Sequence, residues 1–375
     1  MQGHELIGAA STLGSPAPYW LLLLFKILGF VLHSVPMSLW YAGIIAALLM
    51  RLRGGRHARR FAARLMAQMP IIISVGVNLG IVPLLFMQVA YYRVFYPATI
   101  LMAWMWLMVV ALLMFAYYGV YYYVVGLKLR RLTAWHLTAG WGAALLFIVI
   151  GFIFANALSL MTNVGAWPEL WAESNVGGAV LGIGHNHADP TLWPRWLMMF
   201  GLALTTVAAY MVFDAQVFAG RETAEYRRWA RATALKVYTV GIIWFAAAGS
   251  WYVFGTWPAE VREAMLSGPH LVLTVLTALA PGLPLVLIAL TPRRVTPLLA
   301  WLIALAQFGV LALNGISRQW VQNLELAPFL DVAAEPLNPQ WDVLTLFLVL
   351  FIAGLVLVGW MIAKVVEVQR GETRA

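Results

Sequence analysis

The chain has 375 residues, of which 63% are hydrophobic and 10% charged, with a mean hydropathy of +0.83. Those proportions exclude a water-soluble globular domain, in which about a quarter of the residues are charged. The net charge of +9 sits in short stretches between apolar runs, which argues for topology and lipid contact and against nucleic acid as a partner; the absence of cysteine excludes disulfides, thiolate metal sites, iron–sulfur clusters and thioether-linked haem.

In chain order, runs long enough to cross a bilayer (about 20 residues each) are predicted at 19–50, 66–90, 98–127, 134–162, 193–219, 234–256, 269–290, 295–315 and 341–363. Residues 1–18 lack the basic stretch and cleavage site of a signal peptide, so the first run is expected to be retained as a span. Lipid offers no hydrogen bonds, so each run is expected to close its own as a helix. The predicted fold class is therefore an all-α integral membrane bundle of nine transmembrane helices. It forms a single domain over 1–375, with no soluble domain.

The first, third, fifth and seventh connections and the C-terminal tail hold 19 of the 24 Lys and Arg residues. Lys26, Arg93, Arg195, Arg262 and Arg318 are the other five. Basic residues are retained on the cytoplasmic side during insertion, which predicts a periplasmic N-terminus and a cytoplasmic C-terminus. Nine spans require the same. Ten of the 15 acids lie on the predicted outer side, mostly in two Gly/Pro-rich connections at 163–192 and 316–340, read as loops with short helices.

Polar side chains inside the spans are few, and in hydrocarbon such positions are the first place to look for function. They are His33, Asn78, Gln88, Asn156, Asp214, Gln307 and Asn314. His33 is either an axial ligand to a haem iron or a packed histidine bonded to a neighbouring carbonyl. The amides serve equally as interhelical hydrogen bonds. Met198 and Met199 are core packing or thioethers within reach of a haem. In the outer GHNHAD stretch, His185 and His187 with Asp189 could bind a metal, but the local sequence shows no further ligand to close the site.

The order of these pieces resembles subunit I of cytochrome bd-type quinol oxidases, and more closely the bd-like membrane proteins that accompany periplasmic c-type cytochromes. LHSVPMSLWYAG, with His33, looks like the haem-ligating first helix, and GVNLGIVPLLFMQ, with Asn78 and Gln88, is similar to the Asn…Gly…Gln second helix. The stretch ending FANALSLM resembles the fourth helix, and ADPTLWPRWLMMF the start of the fifth. SRQWVQNLELAPFLD resembles the segment after the eighth, with Arg318, Gln319 and Trp320 matching. The chain departs from the family where Met198 stands at the fifth-helix haem histidine. The third-helix glutamates fall near Trp104 and Leu112, and the connection at 256–269 is too short for a quinol-binding loop.

What the resemblance implies is an integral subunit of a respiratory electron-transfer complex in a bacterial inner membrane. It would pack against other membrane subunits and dock a periplasmic c-type cytochrome on its acidic outer loops. It would not reduce oxygen by itself. One b-type haem at His33, a quinone near the outer face, or no cofactor at all remain open, with His33, Met198, Asn78, Gln88 and Arg318 as the cofactor-binding candidates. A haem-free scaffold is the alternative. A transporter is disfavoured, because no span carries a central acid or a broken helix.

Overall fold

The computed structural model describes residues 3–219, 222–290 and 296–371. Among them, nine helices are long and apolar enough to cross a membrane: Tyr19–Arg53, Arg56–Ala90, Ala103–Lys128, Ala134–Thr162, Leu192–Phe218, Ala224–Thr256, Gly268–Leu290, Pro297–Leu326 and Trp341–Met361. They are called spans 1 to 9. The remaining elements are short. A helix at Tyr92–Leu101 precedes span 3, and Trp167–Ser174 and a two-residue hairpin (175–176 with 179–180) lie between spans 4 and 5.

Four boundaries differ from the sequence-based expectation, one of them the start of span 6, at Ala224 and not at 234. Span 8 continues to Leu326, so Arg318, Gln319 and Trp320 lie on a helix and not in a loop. Span 3 begins at Ala103, after a break at Met102. The first arginine cluster flanks only the extended pair Gly54–Gly55, because Arg51 and Arg53 end one helix and Arg56, Arg59, Arg60 and Arg64 open the next. Hydropathy underestimates helices whose polar ends project beyond hydrocarbon, which explains the differences at span 8 and at the arginine cluster.

Close helix approach is set by glycine. In spans 5 and 6, a Cβ on Gly201 would lie 3.0 Å from the Gly241 carbonyl oxygen, and one on Gly241 the same distance from that of Gly201. The two backbones therefore touch, as small residues permit in membranes. Span 1 meets span 2 the same way: a Cβ on Gly76 would strike the Trp40 ring at 2.2 Å, and one on Gly80 the His33 ring at 2.7 Å.

The two ends of the bundle have opposite character. At the basic end, Arg64 binds both carboxylate oxygens of Asp214 at 2.9 and 3.0 Å, and Arg60 pairs with Glu222 at 2.5 Å. At the acidic end, the N-terminal segment is stitched to the segment before span 9, with Ser15 N–H donating to Pro336 O at 2.7 Å and Asn338 N–H to Ser15 O at 2.8 Å. Arg93 closes the same region on Glu335 at 3.2 Å. Span 9 is held by a phenylalanine cluster, Phe25, Phe86, Phe347 and Phe351, with ring centroids 5.0–5.6 Å apart.

Candidate functional site

A cavity of about 340 Å³ lies between spans 1, 2, 3, 4, 5 and 8. Its walls are mostly apolar and aromatic: Trp40, Leu84, Trp106, Leu113, Phe147 and Phe154 among them. Trp40 stacks on Phe147 at 5.7 Å, and Trp106 meets Phe154 edge-on at 5.1 Å. A cavity of this kind, apolar with a few polar groups at one end, is the usual form of a cofactor or ligand site.

His33 lines it. Its Nδ1 lies 2.7 Å from the carbonyl oxygen of Gly76. A carbonyl only accepts, so Nδ1 carries the proton, and in the neutral ring Nε2 keeps its lone pair. No described residue makes a hydrogen bond to Nε2. A histidine whose other ring nitrogen donates to a backbone carbonyl has the tautomer and ring orientation that metal-ligating histidines show. The Trp40 ring, 5.6 Å away, packs against its edge.

The polar end is made by cations. Lys26, Arg195 and Arg318, three of the five basic residues outside the basic connections, all line the cavity. Arg195 pairs with Glu325 at 2.5 Å, both side chains being 9% exposed, and lies 5.2 Å from the Tyr252 ring. Lys26 donates to Gln319 Oε1 and, at 2.9 Å, to Gln322 Oε1, with its ammonium 4.3 Å from the Tyr91 ring. Arg318 has no carboxylate among the described residues and rests over Phe30 at 5.2 Å. Glu325, seven residues after Arg318 on span 8, is taken by Arg195. Behind this end, Gln319 Nε2–H donates to Tyr91 Oη at 2.7 Å, and Tyr91 O–H to Asn323 Oδ1 at 2.6 Å. Three basic side chains and one carboxylate meet at this end of the cavity, an imbalance that favours an anionic ligand group. Lys26 and Arg195 were legible as out-of-place cations, but nothing in the sequence showed that they converge.

The other sequence candidates are dispersed. Met199, not Met198, lines the cavity. Both methionines pack against the cluster around Leu202 and Phe245, and Met198 alone also packs against the cluster around Tyr252 and Trp257, with its Sδ 3.6 Å from where a Cβ on Gly249 would lie. Asn78 is exposed on the outside of span 2, and its Nδ2 donates to Ser74 O at 2.8 Å. Gln88 lines a second, more open cavity of about 490 Å³ at the acidic end, with Ser11, Tyr92 and Glu335. His185 and His187 stack on each other at 4.6 Å, while Asp189 is turned inward, accepting from Thr191 N–H at 2.8 Å and Asn186 Nδ2–H at 2.9 Å. Among the described residues, no group of three or more His, Cys, Asp or Glu side chains could hold a metal ion. Asn156 is structural here, its Oδ1 accepting from the Asn186 N–H at 3.0 Å. Gln307 likewise ties span 8 to Tyr238, Thr205 and Thr206.

Compared with family models and with curated proteins, the chain finds no match.

Proposed function

We propose that the chain is a bd-like integral subunit of a membrane electron-transfer complex, holding one b-type haem in the cavity on His33. The single observation that carries this reading is the His33 imidazole, held by Gly76 with its Nε2 uncommitted, in an apolar aromatic cavity rimmed by Lys26, Arg195 and Arg318. The residues fit the group. His33 would ligate the iron, the aromatic walls would pack the ring, and the cations would meet its carboxylates. Met37, Met87 and Met199 share the cavity and are the thioethers to test as a second ligand. A bound haem would supply one-electron transfer. The chain's own work is to exclude water, fix the imidazole and neutralise the anionic edge.

The arginine asymmetry supports a periplasmic acidic end, in the inner membrane of a bacterium. Acids such as Glu169, Glu173 and Asp331 on that end would steer a basic periplasmic c-type cytochrome toward it. Nothing in this reading gives the chain oxygen reduction of its own. The test is a reduced-minus-oxidised spectrum of the full chain purified from membranes. A b-type α-band that His33→Ala abolishes is expected; a full haem complement in His33→Ala overturns the assignment.

A quinone in the same cavity is the second reading. Gln322 favours it, because its Nε2 is buried without an acceptor at the cavity's polar end, where a quinone carbonyl would accept its hydrogen bond. A flat spectrum with quinone extractable from the purified protein selects that reading.

A further inference from the structure

We infer that span 2 forms a self-pairing seam, through which a second copy of this chain docks with Asn78 against Asn78. This goes beyond the cofactor reading and rests only on the chain spanning a membrane. One stripe of span 2 carries Ile71, Ser74, Asn78, Ile81 and Leu85, all exposed, with Ser74 beside Tyr117 of span 3 and Ile81 at the edge of the cavity. Their spacings of three and four residues form the narrow seam along which two helices cross at a shallow angle. Apolar members of such a seam are at home in lipid. Asn78 is not.

The depth of Asn78 follows from the helix itself. Arg64 is the last charged residue of span 2 before its far end at Ala90. At about 1.5 Å per residue, Asn78 is about 21 Å from Arg64 and about 18 Å from Ala90. A hydrocarbon core of about 30 Å fitted between those limits leaves Asn78 about 9 Å or more inside it in any placement. At that depth one amide N–H bonds to Ser74 O, and no described residue bonds to Oδ1. The amide therefore presents an acceptor and a second donor to a medium that satisfies neither.

An identical helix satisfies both. A twofold axis along the membrane normal sets two copies of span 2 side by side, parallel and at equal depth, which is the self-complementary arrangement of most homodimers. Each Asn78 then meets its own copy, and Nδ2–H of one donates to Oδ1 of the other. A lone asparagine in an apolar seam fixes register this way in parallel coiled coils.

The chain has no cysteine, so single-cysteine variants report the seam directly. Ser74→Cys and Ile81→Cys, each made in the full chain and oxidised in its membranes, should give a disulfide-linked dimer of the chain. Ile243→Cys, exposed on span 6, should not. Adding Asn78→Leu to Ile81→Cys should lower the dimer yield several-fold, and Asn78→Gln should retain more of it. Absence of the dimer from both seam positions overturns the proposal. So does an adduct with a different polypeptide in its place, or a yield indifferent to Asn78→Leu.

Discussion

The Nδ1–H of His33 donates to the Gly76 carbonyl at 2.7 Å, and the ring fills the space that a Cβ on Gly80, one turn further on, would occupy. One helix thus supplies both the acceptor that orients the imidazole and the gap that admits it. Span 1 could not bring a histidine so close to a span 2 bearing side chains at both positions. Trp40 sits against Gly76 and packs beside the imidazole, its ring centroid 5.6 Å away.

Gly80→Ala should therefore act through His33. Its Cβ would fall 2.7 Å from ring atoms, and overpacking of this kind costs about 1–3 kcal/mol. Thermal unfolding in detergent should show that loss, and His33→Ala in the same chain should recover most of it. Failure of the double variant to recover would place the strain elsewhere.

At the basic end, Asp214 is 1% exposed and Arg64 is 24% exposed. Removing one member of a buried pair costs about 3–5 kcal/mol. Arg64 keeps access to solvent and lipid phosphate, so Asp214→Asn should cost less, about 2 kcal/mol. The joint replacement Arg64→Met with Asp214→Leu should unfold within about 1 kcal/mol of the parent, because neither charge is then left alone. A double variant as unstable as Asp214→Asn would refute the pairing as the source of the effect.

Tyr91 titrates well above the ordinary phenol range, first because it is buried and then because it is bonded to Tyr19. A folded-state pKa above the unfolded value means that the native chain holds this proton more tightly. The resulting stability is fully present below about pH 10, the unfolded phenol value, and is lost as pH rises from there toward the folded pKa. Unfolding midpoints measured from about pH 8 to 11 should decline at the alkaline end, and Tyr91→Phe should make the decline shallower. An unchanged slope would show that Tyr91 is not linked to it.

Orientation is tested by single cysteines in the cysteine-free chain. Cysteines replacing the exposed Arg56 and Arg228 at the basic end should be shielded from an impermeant thiol reagent in intact cells. One replacing Val176, 65% exposed at the acidic end, should label. Labelling at position 56 in sealed cells would reverse the assignment of sides.

The number of spans, their approximate limits and the segregation of basic from acidic connections are determined by sequence alone. They depend on summed hydropathy and on charge position, quantities that need no partner. The sequence also singled out His33, since an ionisable group inside hydrocarbon is costly wherever the helix points. Which way each helix points was decided only by tertiary packing. A helix of uniformly apolar residues has no preferred face until neighbours cover one, so Met198 and Met199, adjacent in the chain, could not be told apart. Packing puts Met199 in the cavity wall and Met198 against Gly249 and the Tyr252 cluster. It also turns Asn78 outward, and gives Glu325 to Arg195 rather than to Arg318, seven residues before it on the same helix. The convergence of Lys26, Arg195 and Arg318 on one rim belongs to the same class. It joins residues of three spans, 292 positions apart at the extremes, and only the fold brings them to one place.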